Sequence, residues 1–118
     1  VFAVSGDSPD ALARAKLAAK QSIAFYASTP SYRRVLDHHG WTDLGHQLSA
    51  LAARGAWNEL GSRISDEMLE TVAVVGRTEE IGPRIMARYG SLVDRIGLYE
   101  PFTPAARPWQ SLITACRT

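Results

Sequence analysis

Apolar positions along this chain recur in two rhythms, and the alternation between them sets out the elements. Val1 to Val4 is a short continuous apolar run ending at Ser5-Gly6, which reads as a buried strand entering a turn. Leu12, Ala15, Ala19, Ile23 and Tyr26 then recur at three- and four-residue steps, one face of a helix from about Pro9 to Ala27. Its start is marked: Ser8 can cap, Pro9 suits the first helical position, and Asp10 suits the positive end of the dipole. Thr29-Pro30 interrupts it and opens a second helix by the same logic, and Gly40 stops that one. Thr42 is the expected cap of a third helix with Leu44, Leu48, Leu51 and Ala52 on its face, ended by Gly55. "WNELGSRI" predicts a short helix, and Ser65 or Asp66 begins another through Leu69.

The rhythm changes at "TVAVVG", Thr71 to Gly76, which is β-branched and continuously apolar. Such a run fits a strand buried on both faces. "RTEEIGPRIMARYG" follows as a helix, with Glu79 and Glu80 at its positive end, Arg84 and Arg88 toward its negative end, and a packing face of Ile81, Ile85 and Tyr89. "VDRIGLYEP", Val93 to Pro101, is a second two-sided strand candidate. A helix starting near Pro104 or Pro108 closes the chain. Apolar strands separated by helices imply crossover connections and a parallel sheet. Three strands are few, and a lone three-stranded sheet has two open edges. The expectation is therefore an incomplete α/β structure, one partial domain over 1–118: a strand at 1–4, helices over 9–70, and two strand–helix units over 71–118.

Composition narrows the function classes. With 118 residues, 46% hydrophobic and 21% charged, the chain reads as globular. The formal net charge is +1 with no basic run, which argues against nucleic acid as a main partner. A single cysteine, Cys116, allows no internal disulfide. No apolar run approaches the length of a membrane span, so no membrane partner is expected and a cytoplasmic location is the default. The opening "VFAVSGDSP" lacks methionine, as expected of a processed or truncated piece of something larger, or of a dropped leader.

Two segments carry a specific likeness. "RAKLAAKQSIAFYASTPSYRRVLDHHGW" and "DEMLETVAVVGRTEEIGPRIMARYGSLVDRIGLYEP" resemble the C-terminal part of luciferase-like monooxygenases, and among them the oxidoreductases that use the deazaflavin coenzyme F-420. The likeness covers essentially the whole chain. The first segment is distinctive; the Val-Val-Gly stretch recurs in many barrel proteins. The resemblance implies a (β/α)8 (TIM) barrel with an inserted helical region. On it, Val1–Val4 would be a late strand, Thr71–Val75 and Arg95–Tyr99 the last two, and Thr29 to Leu69 mainly the insertion. It also implies a parent enzyme moving hydride with F-420 or FMN on a small-molecule substrate. The family's N-terminal portion, which supplies most of the coenzyme pocket, is missing here, so this chain alone is expected to be inactive and to bind no coenzyme. The alternative is a non-catalytic domain that self-associates as a homo-oligomer, pairing strand edges or exchanging helices.

Each candidate residue has a chemical and a plain reading. Phe25, Tyr26, Tyr32 and Arg33 can line a barrel mouth, where rings and an arginine suit a planar ligand with an anionic tail; the rings can equally pack one helix on the next. Tyr26, Tyr32, Arg33 and Glu100 are the substrate-binding candidates, Glu100 because it ends the last predicted strand. Gly76, Arg77 and Thr78 are the coenzyme-binding candidates, a strand-to-helix turn with free N–H groups, against a simple cap at Thr78. His38, His39 and His46 have no metal-ligand spacing, so no metal is expected; His39 before Gly40 suits a helix end. Cys116 reads as packing or an exposed thiol, and Trp41, Trp57 and Trp109 as anchors. No catalytic residue is assigned.

Overall fold

The computed structural model describes residues 1–99 with 113, 114, 116 and 117. Strand β1 spans Phe2–Ser5 and helix α1 Pro9–Ala27. A 3-10 turn at Pro30–Tyr32 leads into α2, Arg33–His38, followed by α3, Thr42–Ala53, and α4, Trp57–Leu60. A second 3-10 turn, Gly61–Arg63, precedes α5, Asp66–Val72, which runs directly into β2, Ala73–Gly76, and then α6, Thr78–Tyr89. The fold is mostly helical α/β. Among the described residues β1 and β2 form a two-stranded parallel sheet, with Phe2 opposite Ala73 and Ser5 opposite Gly76.

Local chemistry explains most boundaries. Ser8 Oγ accepts the Ala11 N–H at 3.1 Å, the expected cap of α1. Gly40 and Gly55 end their helices at φ of +77° and +73°, where a β-carbon is strained. Two caps differ from expectation. Trp41, not Thr42, precedes α3, because the Thr42 hydroxyl donates to Asp37 Oδ1 at 2.6 Å instead of turning back on its own helix. Thr29 makes no side-chain cap, because its hydroxyl donates to the Tyr26 carbonyl at 2.7 Å.

Three expectations are corrected. The face of α1 runs through Ala15, Ala19, Ile23 and Ala27, and Tyr26 falls off it, because four-residue steps from Ala15 lead to Ala27. Strand β2 starts at Ala73 and not Thr71. Ser65 Oγ accepts the Met68 N–H at 3.1 Å and starts α5, whose last turn consumes Thr71 and Val72. The strand expected over Val93–Pro101 is one parallel bridge, Phe2 to Tyr99, within the residues described. There the Ala3 N–H donates to the Tyr99 carbonyl at 2.9 Å and the Tyr99 N–H to the Val1 carbonyl at 2.8 Å. Val93 to Arg95 are exposed, while Ile96 and Leu98 alone turn toward the core, so the run is buried on one side only. Its bridge lies on the far side of β1 from β2.

The chain divides into two compact units. One holds Val1–Ala19 and the described residues from Glu70 onward. Its core is Ala3, Val74, Ile81 and Ile85, with Tyr89, Ile96, Leu98 and Cys116 packed against it. Cys116 is therefore packing, partly buried. The other unit, Lys20–Leu69, is helical and buries Ile23, Ala24, Leu36, Leu48, Leu51, Leu60, Ile64 and Leu69. Gln21 ties it together: its amide donates to the Trp57 carbonyl at 2.7 Å and accepts the Gly61 N–H at 3.0 Å.

Candidate functional site

The helical unit carries a row of rings on its surface. Trp57 lies 5.7 Å from Phe25, Phe25 5.8 Å from Tyr26, and Tyr26 5.7 Å from Tyr32, centroid to centroid. These are contact distances for aromatic pairs. The Tyr26–Tyr32 pair spans the Thr29-Pro30 turn, so the rings do pack on one another as the plain reading expects. They do not bury one another: exposures are 44% for Trp57, 50% for Phe25, 37% for Tyr26 and 43% for Tyr32. Trp57 belongs to this row, which its reading as an anchor had missed; only the fold brings α4 beside α1.

Arg33 follows Tyr32 and turns inward. Its Nη2 donates to Ser49 Oγ at 3.3 Å, and the Ser49 hydroxyl donates to the Ser28 carbonyl at 2.7 Å. Its Nε is buried without a hydrogen-bond partner among the described residues. No carboxylate pairs with it among the ion pairs of the described residues. A guanidinium so placed can accept an anion at its outer nitrogens without first breaking an ion pair. Tyr26, Tyr32 and Arg33 are thus near neighbours. Glu100 lies outside the described residues, as does Trp109.

The β2–α6 turn has a different character. Arg77 is the residue before α6 and Thr78 its first. The Arg77 N–H donates to Glu80 Oε2 at 2.9 Å, while the Glu80 N–H donates to the Arg77 carbonyl at 2.9 Å. This reciprocal closure resembles a capping box with the backbone standing in for the cap side chain. The Arg77 guanidinium pairs with Glu79 at 2.9 Å. An anion seated at Gly76, Arg77 and Thr78 would therefore meet two carboxylates already in the first turn.

The histidines form a surface group. His38 and His39 lie edge to face at 5.2 Å, and His39 stacks on Trp41 at 4.7 Å. His39 caps α2 through its backbone N–H, as expected of its place before Gly40. Among the described residues no three of histidine, cysteine, aspartate and glutamate gather where they could hold a metal ion. None of the described helices is long and apolar enough to cross a membrane.

Two structural contacts escaped the sequence reading. Arg84 and Arg88 were expected to serve the negative end of α6. Arg88 does lie in the last turn of α6, and in addition Arg84 Nη1 donates to the Val75 carbonyl and Arg88 Nη1 to the Ala73 carbonyl at 3.0 Å. The signal was present: arginines four apart on a helix, after a strand whose alternate residues face one side.

Comparison with known proteins supports the likeness at the level of the luciferase-like monooxygenase family. The family model for luciferase-like monooxygenases matches residues 1–95. Uncharacterized protein Rv1360 of Mycobacterium tuberculosis is 43% identical over 96 residues, covering 81% of this chain and 28% of that protein. Uncharacterized protein Mb1395 of Mycobacterium bovis shows the same 43% identity over the same shares. The chain thus spans little more than a quarter of the length of the curated relatives it matches. No solved structure matches it significantly. On the family match over residues 1–95, the chain belongs to the luciferase-like monooxygenase family.

Proposed function

We propose that this chain is the C-terminal portion of a luciferase-like oxidoreductase that transfers hydride with coenzyme F-420 or FMN, and that it is inactive alone. The observation that carries the reading is the family match over residues 1–95 by a chain that covers 28% of its relatives. The whole protein would be a (β/α)8 barrel, with β1 and β2 among its later strands. The coenzyme would supply the redox chemistry. The residues of this chain would bind and orient a small-molecule substrate. Tyr26 and Tyr32 offer ring faces and Arg33 a guanidinium free of carboxylates, a surface suited to a planar group with an anionic tail. The Gly76–Thr78 turn is the weaker of the two candidate seats, because Glu80 already takes the Arg77 N–H.

The test is purification from the native source, with intact mass and absorbance read on one sample. The expected result is a mass well above 12.9 kDa carrying a chromophore that absorbs in the blue. A colourless protein near 12.9 kDa would overturn the reading. That outcome would favour the second reading, a non-catalytic homo-oligomer. One observation supports it: four half-exposed rings in contact form an apolar surface that a second copy could cover. Light scattering showing a strict monomer at high concentration would count against it.

A further inference from the structure

The order of segments across the sheet is out of step with the sequence. Tyr99 bridges Phe2 on one side of β1, and β2 pairs with β1 on the other. The order is therefore Tyr99, β1, β2, with the last of the three in sequence beside the first. In a (β/α)8 barrel, strands joined by helices follow one another around the ring, each between the one before and the one after. With β1, β2 and the Tyr99 segment as three successive strands, β2 belongs in the middle and the Tyr99 segment on its far side. The place beside β1 that Tyr99 holds here belongs to the strand that precedes β1.

The contact on β1 is specific. The Ala3 N–H donates to the Tyr99 carbonyl at 2.9 Å, and the Tyr99 N–H to the Val1 carbonyl at 2.8 Å. The Phe2 and Tyr99 rings meet edge to face at 5.0 Å. Ile96 and Leu98 pack on the core of Ala3, Val74, Ile81 and Ile85. The far side of β2 is met differently. Val1 and Ala3 turn their backbone groups to Tyr99, so Phe2 and Val4 turn theirs to β2. With Phe2 opposite Ala73 and Val4 opposite Val75, the carbonyls of Ala73 and Val75 point away from β1. Arg84 donates to the Val75 carbonyl, and Arg88 to the Ala73 carbonyl at 3.0 Å. Side chains thus hold the two groups that the next strand would bond, while the segment that barrel order assigns there bonds β1.

We infer that segment 96–99 is a strap with two seats. In this chain by itself the strap sits on β1, and Arg84 and Arg88 sit on the β2 carbonyls. In the whole barrel the preceding strand takes the place on β1. The arginines then release the Ala73 and Val75 carbonyls, and the strap moves to β2. The strap and the preceding strand compete for one side of β1, so closing the barrel requires the strap to let go. The inference rests on the barrel of the proposed function and not on its coenzyme.

The test is disulfide trapping in a Cys116→Ser background. It uses the 118-residue chain and a form of the length of its Mycobacterium relatives that contains it. F2C/Y99C reports the seat on β1, and A73C/Y99C and V75C/Y99C report the seat on β2. Paired residues of neighbouring strands stand about 5 Å apart, within reach of a disulfide. Links are assigned by peptide mass. In the short chain the 2–99 link should close about tenfold faster than either link to β2. In the long form the preference should reverse. Circular dichroism establishes that each variant is folded. Should a pair unfold the protein, the NMR contact between the Phe2 and Tyr99 rings is read in wild type instead, expected in the short chain and lost in the long form. A coenzyme titration of the same long form keeps the two readings apart: a reversed preference without coenzyme binding supports the strap and counts against the coenzyme alone. A 2–99 link or ring contact that persists as the main one in the long form overturns the inference, as does a long form that makes neither link to β2.

Discussion

The sheet unit and the helical unit finish their surfaces in opposite ways. Around β2 the described polar side chains are turned onto backbone groups. Arg84 and Arg88 take outward carbonyls, Glu80 takes the Arg77 N–H, and Tyr99 takes the far side of β1. In the helical unit Gln21, Ser28 and Ser49 satisfy backbone groups, but Arg33 Nε is left without a partner among the described residues and four rings are half exposed in mutual contact. A row of exposed rings in contact is an apolar surface of the kind that binding sites use, which is what the proposed function draws on. Under the proposed function, the contrast makes Tyr26, Tyr32 and Arg33 better binding candidates than the β2–α6 turn.

The sharpest way to break this comparison is to attack each core. Leu48→Ala and Ile85→Ala both remove fully buried side chains, and each should cost about 2–5 kcal/mol in denaturant unfolding. If one unit can lose its core while the other keeps its structure, the two mutants will melt different signals. Next in size is Arg88→Ala, which removes two hydrogen bonds from an exposed side chain and should cost about 1 kcal/mol. Ser8→Ala should cost about 1 kcal/mol through the lost cap of α1, read as a lower midpoint with an unchanged slope. Gly40→Ala should cost a similar amount, about 1 kcal/mol, because alanine pays for the positive φ. Smallest is Phe25→Ser with Tyr32→Ser: stability should move by about 0.5 kcal/mol or less per site, as for exposed positions. A loss of several kcal/mol there would mean that the rings are core and not surface.

Much of this was legible in the chain itself. The order of strands and helices, the Ser8 cap and the stops at Gly40 and Gly55 follow from side-chain chemistry that acts within one turn. The misses have a common cause, which is competition that a single segment does not reveal. Thr71 and Val72 are good strand residues, but the start of α5 at Ser65 decides their fate first. Tyr26 sits at a helical step from Ile23, but Ala27 sits at a better one. Val93 to Tyr99 is apolar enough for a strand, yet only Ile96 and Leu98 find a core to enter. For the candidate site, neighbours in sequence such as Tyr32 and Arg33 were visible. Trp57 joining Phe25, and Ser49 joining Arg33, depend on helices brought together by the fold.

The measurement that tests the central claim most directly is a fluorescence titration with FMN and with coenzyme F-420. It compares this chain with a form of the length of its Mycobacterium relatives that contains it. The account predicts saturable binding of one of the two coenzymes by the long form and none by this chain, since the proposed function assigns the greater part of the pocket to the rest of the protein. Saturable binding by this chain with the affinity of the long form would contradict it, as would the absence of binding in both.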